Sequence, residues 1–390
     1  MPVAVDRLGR NPFTPDFDVP PPVLAGREKE LKILSQMATD LDTGSNVRSI
    51  VLYGPRGNGK TALLNSSDRY KPRRTRIRIV QTLAQALRSP QDLADVLLEK
   101  TGPSKAGLSK VGGSLKVLGV GVSAERQNTD SHDAVGTDAV VQSLTKRRKF
   151  SSPTILMLDE AHDLDREVGR MALAIASRMK AEKTPFGLVL SGTPGIRRRL
   201  AEFDNWFIES AQLVRVSRLD NEATRKALFE PFGNAGCTIE LTKDEMDRVL
   251  EWTQNYPYFI QELGSMLFSA AKAKGENRIT GDLLPIAKRE FDLATEQMYG
   301  QRIDEIVRRG LIKPALAVAK ASLDGAGSVS RKDLYNSVGK CSDSRSPQDI
   351  LDEFIDLGFI SMSAKSSQRY DAGIPSLMNN IVSKEGDLPT

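Results

Sequence analysis

The feature that most constrains this chain is a twelve-residue stretch, Ile50-Val51-Leu52-Tyr53-Gly54-Pro55-Arg56-Gly57-Asn58-Gly59-Lys60-Thr61, followed by Ala62, Leu63 and Leu64. The short apolar run predicts a buried strand, and the residues after Gly59 predict a helix. The turn between them fits G-x-x-x-x-G-K-[ST] at every fixed position. Glycines let successive backbone N–H groups wrap an anion without Cβ clashes, and the opening helix aims its positive end at the same place. Lys60 then reaches the outer phosphates of a nucleotide, and the Thr61 hydroxyl takes one position on Mg²⁺. Gly54, Pro55, Arg56, Gly57, Asn58, Gly59, Lys60 and Thr61 are therefore expected to bind ATP with Mg²⁺. A chance match in a surface loop would lack the flanking strand and helix.

A second motif completes such a site. The run Ile155-Leu156-Met157-Leu158 ends on Asp159-Glu160. A strand delivering an aspartate at its end can place Asp159 beside the metal, with Glu160 polarising the attacking water. The plain alternative is an acidic pair that caps the next helix. The letters Asp-Glu-Ala-His also occur in helicases, but other helicase motifs are not visible, and His162 reads as a packing or hydrogen-bonding residue.

The remaining pattern alternates strands (76–80, 154–158, 187–190, 213–216) with helices. This predicts an α/β fold, a mainly parallel sheet covered by helices on both faces. Residues 1–22 are proline-rich and read as an extended arm. The ATPase core is expected over 23–217, with a Gly/Ser-rich insertion at 102–136. From Asp220 onward the pattern is helical only, predicting an all-α lid over 218–300. Three short helices and a hairpin over 301–390 predict a winged helix.

Composition sets limits. With 39% hydrophobic and 27% charged residues the chain reads as soluble, and no apolar run has membrane-spanning length. No signal-peptide core is visible at the N-terminus, so the expected compartment is the cytoplasm. Cys237 and Cys341 are the only cysteines, and there are two histidines, which excludes a disulfide framework or a His-rich metal site. The net charge of +5 is mild, but it is clustered in Lys71, Arg73, Arg74, Arg76 and Arg78, in Lys146–Lys149, and in Arg197, Arg198 and Arg199. Each cluster is either a solvated face or a contact for an acidic partner.

Here a family resemblance becomes visible. The segments VLAGREKEL (23–31), the phosphate loop, the acidic strand, LVLSGTPG (188–195) and NYPYFIQELG (255–264) resemble, in order, the motifs of AAA+ P-loop ATPases of the replication-initiator-like and STAND-related branch. The resemblance implies that Arg27 lies near the nucleotide, that Ser191 or Thr193 senses the γ-phosphate, and that Pro257 abuts the adenine. It also implies self-association through the ATPase domain, with a neighbour's arginine completing the site. Arg197, Arg198 and Arg199 are the candidates, since Ile196 and Leu200 one turn apart would face the core. One departure is plain: NYPYFIQELG lacks the arginine that many AAA+ lids supply. Another arginine substitutes, or nucleotide is sensed through Tyr256 and Pro257, and a slow switch fits better than a processive motor.

Two functions follow. One is an ATP-dependent switch acting on DNA, contacted through 71–78 and 146–149. The other is a STAND-like signalling or defence scaffold whose winged helix binds a protein effector. The expected third helix of that module, 346–357, carries Asp349, Asp352, Glu353 and Asp356 on its outward sides, which DNA phosphates would repel.

Overall fold

The computed structural model describes residues 9–15, 19–101, 108–111, 114–117, 136–138, 140–142, 152–325, 327–341, 345–363, 366 and 368–388. Five parallel strands form the central sheet: β1 (Ile50–Tyr53), β2 (Arg78–Leu83), β3 (Thr154–Asp159), β4 (Phe186–Gly192) and β5 (Gln212–Arg215). Their spatial order is β2-β3-β4-β1-β5, so β1 lies between two strands that come much later in the chain. Both faces are covered, and the side chains alternate accordingly. Ile50, Leu52, Ile155, Met157 and Val189 pack under the helix Glu28–Asp42 through Leu34, Met37 and Leu41. Val51, Leu156, Leu158, Leu188 and Leu190 pack on the opposite side against Leu97, Val168, Ile175 and Leu200 from three other helices.

The region expected as the lid contains helices Asn221–Asn234, Lys243–Thr253, Pro257–Ala273 and Leu284–Arg308. It is not helical only, as the sequence pattern suggests. Thr238–Glu240 and Arg278–Thr280 pair as two short parallel strands. The stretch Thr238-Ile239-Glu240 is too short to show a period of two against its helical flanks. The last lid helix runs unbroken past residue 300 to Arg308. Beyond it come helices Ile312–Asp324, Arg331–Gly339 and Pro347–Asp356, then Pro375–Ser383. Ser328–Ser330, Arg369–Ala372 and Ile360–Met362 form an antiparallel sheet in that spatial order, one strand more than the expected hairpin.

One apolar cluster runs from the arm through the lid into these C-terminal elements, from Phe13 to Ile381. Within the expected insertion, Leu108–Val111 and Ser114–Val117 form an antiparallel hairpin. Residues 102–107, 112–113 and 118–135 of that segment, and the basic run 146–149, lie outside the described residues.

Candidate nucleotide site

The phosphate loop leaves β1 at Gly54 and enters the helix Lys60–Asn65. Gly57 and Gly59 adopt φ of 78° and 83°, a left-handed backbone that an L side chain resists. A Cβ on Gly57 would also strike the Tyr256 ring, so this position is closed to other residues twice over. Lys60 is 3% exposed, and its Nζ donates to the carbonyls of Gly54 (3.0 Å) and Pro55 (3.1 Å). An ammonium has three N–H donors, so one remains for an anion. Burial pulls the Lys60 pKa down, while Glu160 and Asp159 push it up.

Asp159 ends β3 and is fixed from three sides. Its Oδ2 accepts from the Thr61 hydroxyl at 2.6 Å, and its Oδ1 accepts from Glu160 N at 2.9 Å and from the Ser191 hydroxyl. Paired hard oxygens from Thr61 and Asp159 on the cavity wall are the donor set that Mg²⁺ prefers. Glu160 has φ of 52°, a left-handed conformation unusual for a non-glycine residue. Such backbone persists where the surroundings enforce it. His162 Nδ1 lies 3.3 Å from a Glu160 oxygen and accepts weakly from Thr193 N at 3.4 Å. Burial holds the His162 pKa below its ordinary value, so the imidazole is neutral near pH 7 and serves as the local hydrogen-bonding residue expected of it.

These groups face a cavity of about 850 Å³. Arg56, Gly57, Asn58, Gly59, Lys60, Thr61, Asp159 and Glu160 line its polar end. Val23, Leu24, Leu219, Pro257 and Ile260 line its apolar end. Arg27 lines it too. It is 4% exposed and donates to the carbonyls of Asn58 (2.8 Å) and Ser217 (2.6 Å), tying the phosphate loop to the segment after β5. Tyr256 sits at the joint, its hydroxyl donating to the Arg56 carbonyl at 2.6 Å. Burial drives its pKa up to about 12, so the hydroxyl keeps its proton.

The remaining expected residues lie elsewhere. Gly54 and Pro55 form the base of the loop and are held by Lys60 rather than facing the cavity. Neither Ser191 nor Thr193 lines the cavity: Ser191 is spent on Asp159, and the Thr193 hydroxyl is buried with no hydrogen-bond partner among the described residues. Arg197, Arg198 and Arg199 are also absent from its walls. Arg197 stands 6.0 Å from the Tyr53 ring centroid. Arg198 pairs with Asp352 (3.0 Å) and with Asp356. Arg199 folds back onto Phe203, Glu202 and the Leu164 carbonyl. In the basic segment, Arg73, Arg74 and Arg76 are exposed.

Sequence reasoning missed Arg302. It projects from the helix Leu284–Arg308 into the cavity wall, near Arg56, Glu305, Glu160 and Tyr256. Burial lowers its pKa, yet it makes no hydrogen bond or ion pair among the described residues. A largely buried guanidinium without a partner favours an anion beside it. Nothing local marks Arg302 in the sequence. Only the fold of a helix 240 residues downstream brings it to the loop.

Residues 23–190 match the family described as AAA ATPase domain. Among solved structures, the Aeropyrum pernix ORC2 protein, in ADPNP and ADP complexes, superposes with a TM-score of 0.59 at 14% identity, covering 96% of this chain and 98% of that one. The CDC6P protein from Pyrobaculum aerophilum gives a TM-score of 0.50 at 14% identity, covering 95% and 97%. No curated protein matches the sequence.

Proposed function

We propose that this chain, an ATP hydrolase whose residues 23–190 match the AAA ATPase domain family, works as a slow switch in which ATP occupancy sets the position of the C-terminal module. The observation that carries this reading is the cavity wall itself. The phosphate loop, the lid and the long helix leading to the C-terminal elements all contribute to it. A ligand touching all three couples them. Phosphates lie against the N–H groups of residues 57–61 and the free Lys60 donor. Asp159 and Thr61 hold Mg²⁺, which when bound supplies positive charge against the phosphate oxygens. Glu160 takes the proton of the attacking water, Arg302 donates to a phosphate oxygen in place of the arginine that NYPYFIQELG lacks, and Pro257 with its apolar neighbours covers the base. The ORC2 structure with ADPNP and ADP supports nucleotide seating in this fold. A neighbour's arginine from 197–199 completes the site in trans, and its absence from the isolated chain keeps hydrolysis slow.

We place the arm at 1–22, the ATPase core at 23–217, the lid from 218 and, beyond the long helix, a winged helix whose third helix is Pro347–Asp356. The switch acts on DNA through the basic segments 71–78 and 146–149. The acidic helix favours a second reading, a scaffold whose winged helix binds protein. A gel shift at two salt concentrations separates them, because phosphate contacts weaken steeply with salt.

The test of the site is a pair of variants. Lys60→Ala should abolish tight ATP binding measured by calorimetry. Glu160→Gln should keep that binding and lower turnover by roughly 10²-fold or more. A Glu160→Gln enzyme with wild-type turnover would show that the base lies elsewhere.

A further inference from the structure

The helix Ile196–Phe203 carries the exposed arginines Arg197 and Arg198 at the end of β4. In the single chain this face is already taken. Arg198 forms ion pairs with Asp352 and Asp356 on the acidic helix Pro347–Asp356. The approach is close enough that a Cβ on Gly195 would strike the Asp356 carboxylate. The same module lies behind the nucleotide loop: a Cβ on Gly358 would meet Pro55 at 3.5 Å, and Leu357, Gly358 and Phe359 share a small cleft with Pro55, Arg56 and Arg302. It is tied to the lid joint as well, since Gln254 donates to the Ser376 hydroxyl (2.7 Å) and accepts from Ser376 N (3.1 Å). Gln254 and Asn255, the two residues of that joint, both have positive φ, 51° and 57°. A strained joint is the place where a small shift of the loop is passed to the module.

We propose that the acidic helix Pro347–Asp356 occupies, in the isolated chain, the same arginine face of Ile196–Phe203 that a second copy would need in order to engage it at its bound nucleotide. The two occupants are chemically alike, because both present clustered anionic oxygens to the guanidinium. They cannot share it, since the carboxylates of Asp352 and Asp356 stand where a nucleotide phosphate would have to approach Arg198. Assembly therefore requires the module to lift. ATP contributes by displacing the loop against Pro55 and Tyr256, which loosens the module from the opposite side. This rests on the reading above that an arginine from 197–199 acts in trans.

The experiment uses the full chain with ATP, in three forms. Asp352→Lys with Asp356→Lys sets like charges against Arg198 and should release the module while leaving the arginine free. The expected result is a larger radius of gyration by solution scattering, self-association by sedimentation velocity, and turnover per chain rising about tenfold or more with protein concentration. Arg198→Glu should release the module equally, by repelling Asp352 and Asp356, but should not associate. Joining Arg198→Glu to the two lysine substitutions should restore the smaller radius. The proposal is overturned if the lysine variant keeps the wild-type radius and sedimentation, or if Arg198→Glu associates as strongly as the lysine variant. Association of the lysine variant without faster turnover would support competition for the surface while sinking the trans-arginine reading of catalysis. Thermal unfolding of each variant shows whether it is folded.

Discussion

At the scale of single residues, the site depends on groups whose hydrogen bonds are nearly all spent before a ligand arrives. Lys60 gives two N–H donors to its own loop, and Asp159 accepts three bonds. Such groups do not reorient when the charge of a reacting phosphate changes, which is the condition for electrostatic preorganisation. Arg302 is the exception, with no hydrogen bond or ion pair among the described residues, and its contribution should depend on how many phosphates the ligand has. Arg302→Ala is expected to weaken ATP by roughly tenfold or more, as for a lost charge-assisted bond. It should weaken ADP much less, and Arg302→Lys should recover part of the difference. Calorimetric affinities for both nucleotides check this; an unchanged ATP-to-ADP ratio would remove Arg302 from the γ-phosphate.

At the scale of elements, the arm is more than a tail. The Phe13 ring is 4% exposed, sits 4.8 Å from the Phe232 ring and fills the space that Gly264 leaves by lacking a side chain. Asn11 donates to Ser265, and Thr14 N donates to Gln261. The arm thus staples the helices Asn221–Asn234 and Pro257–Ala273. Phe13→Ala should destabilise the lid by about 3 kcal/mol, read from chemical denaturation, with the sheet less affected. This staple was not legible in the sequence, where Phe13 is one apolar residue among prolines. The phosphate loop and Asp159-Glu160 were legible because each motif is contiguous and flanked by the elements its chemistry needs. The surroundings of Ser191 and Thr193 were not legible, for a different reason. A hydroxyl at a strand end has several partners within reach, and only the fold shows that Ser191 takes Asp159.

At the scale of the whole molecule, the docking of the C-terminal module should depend on pH. Burial pushes the Asp356 carboxyl up to about 6, with Arg198 and Arg309 pulling it down and Asp352 and Glu353 pushing it up. Released into water, the same group titrates near its ordinary value of 3.8. Between these two values the docked state holds a proton that the released state does not. By linkage, acidification through pH 6 therefore favours docking, while the ionised pair above that pH costs desolvation. Scattering at pH 5.5 and 7.5 should show the smaller radius at the lower pH; an expansion there would contradict the sign. Tertiary contacts of this kind leave no trace in local periodicity, so the acidity of Pro347–Asp356 was readable but its destination was not.

The order of the central sheet has a consequence for the chain as it is made. β1, which delivers the phosphate loop, pairs only with β4 and β5, residues 186–192 and 212–215. Its apolar residues leave the ribosome early and wait for a first partner roughly 140 residues later, on the order of ten seconds at ordinary rates of synthesis. Until Gly192 has emerged, the loop has no neighbouring strand to hold it and Asp159 is not held in register with Thr61. A nascent chain shorter than this should not bind ATP, and it carries Ile50–Tyr53 as an apolar strand with both edges unpaired.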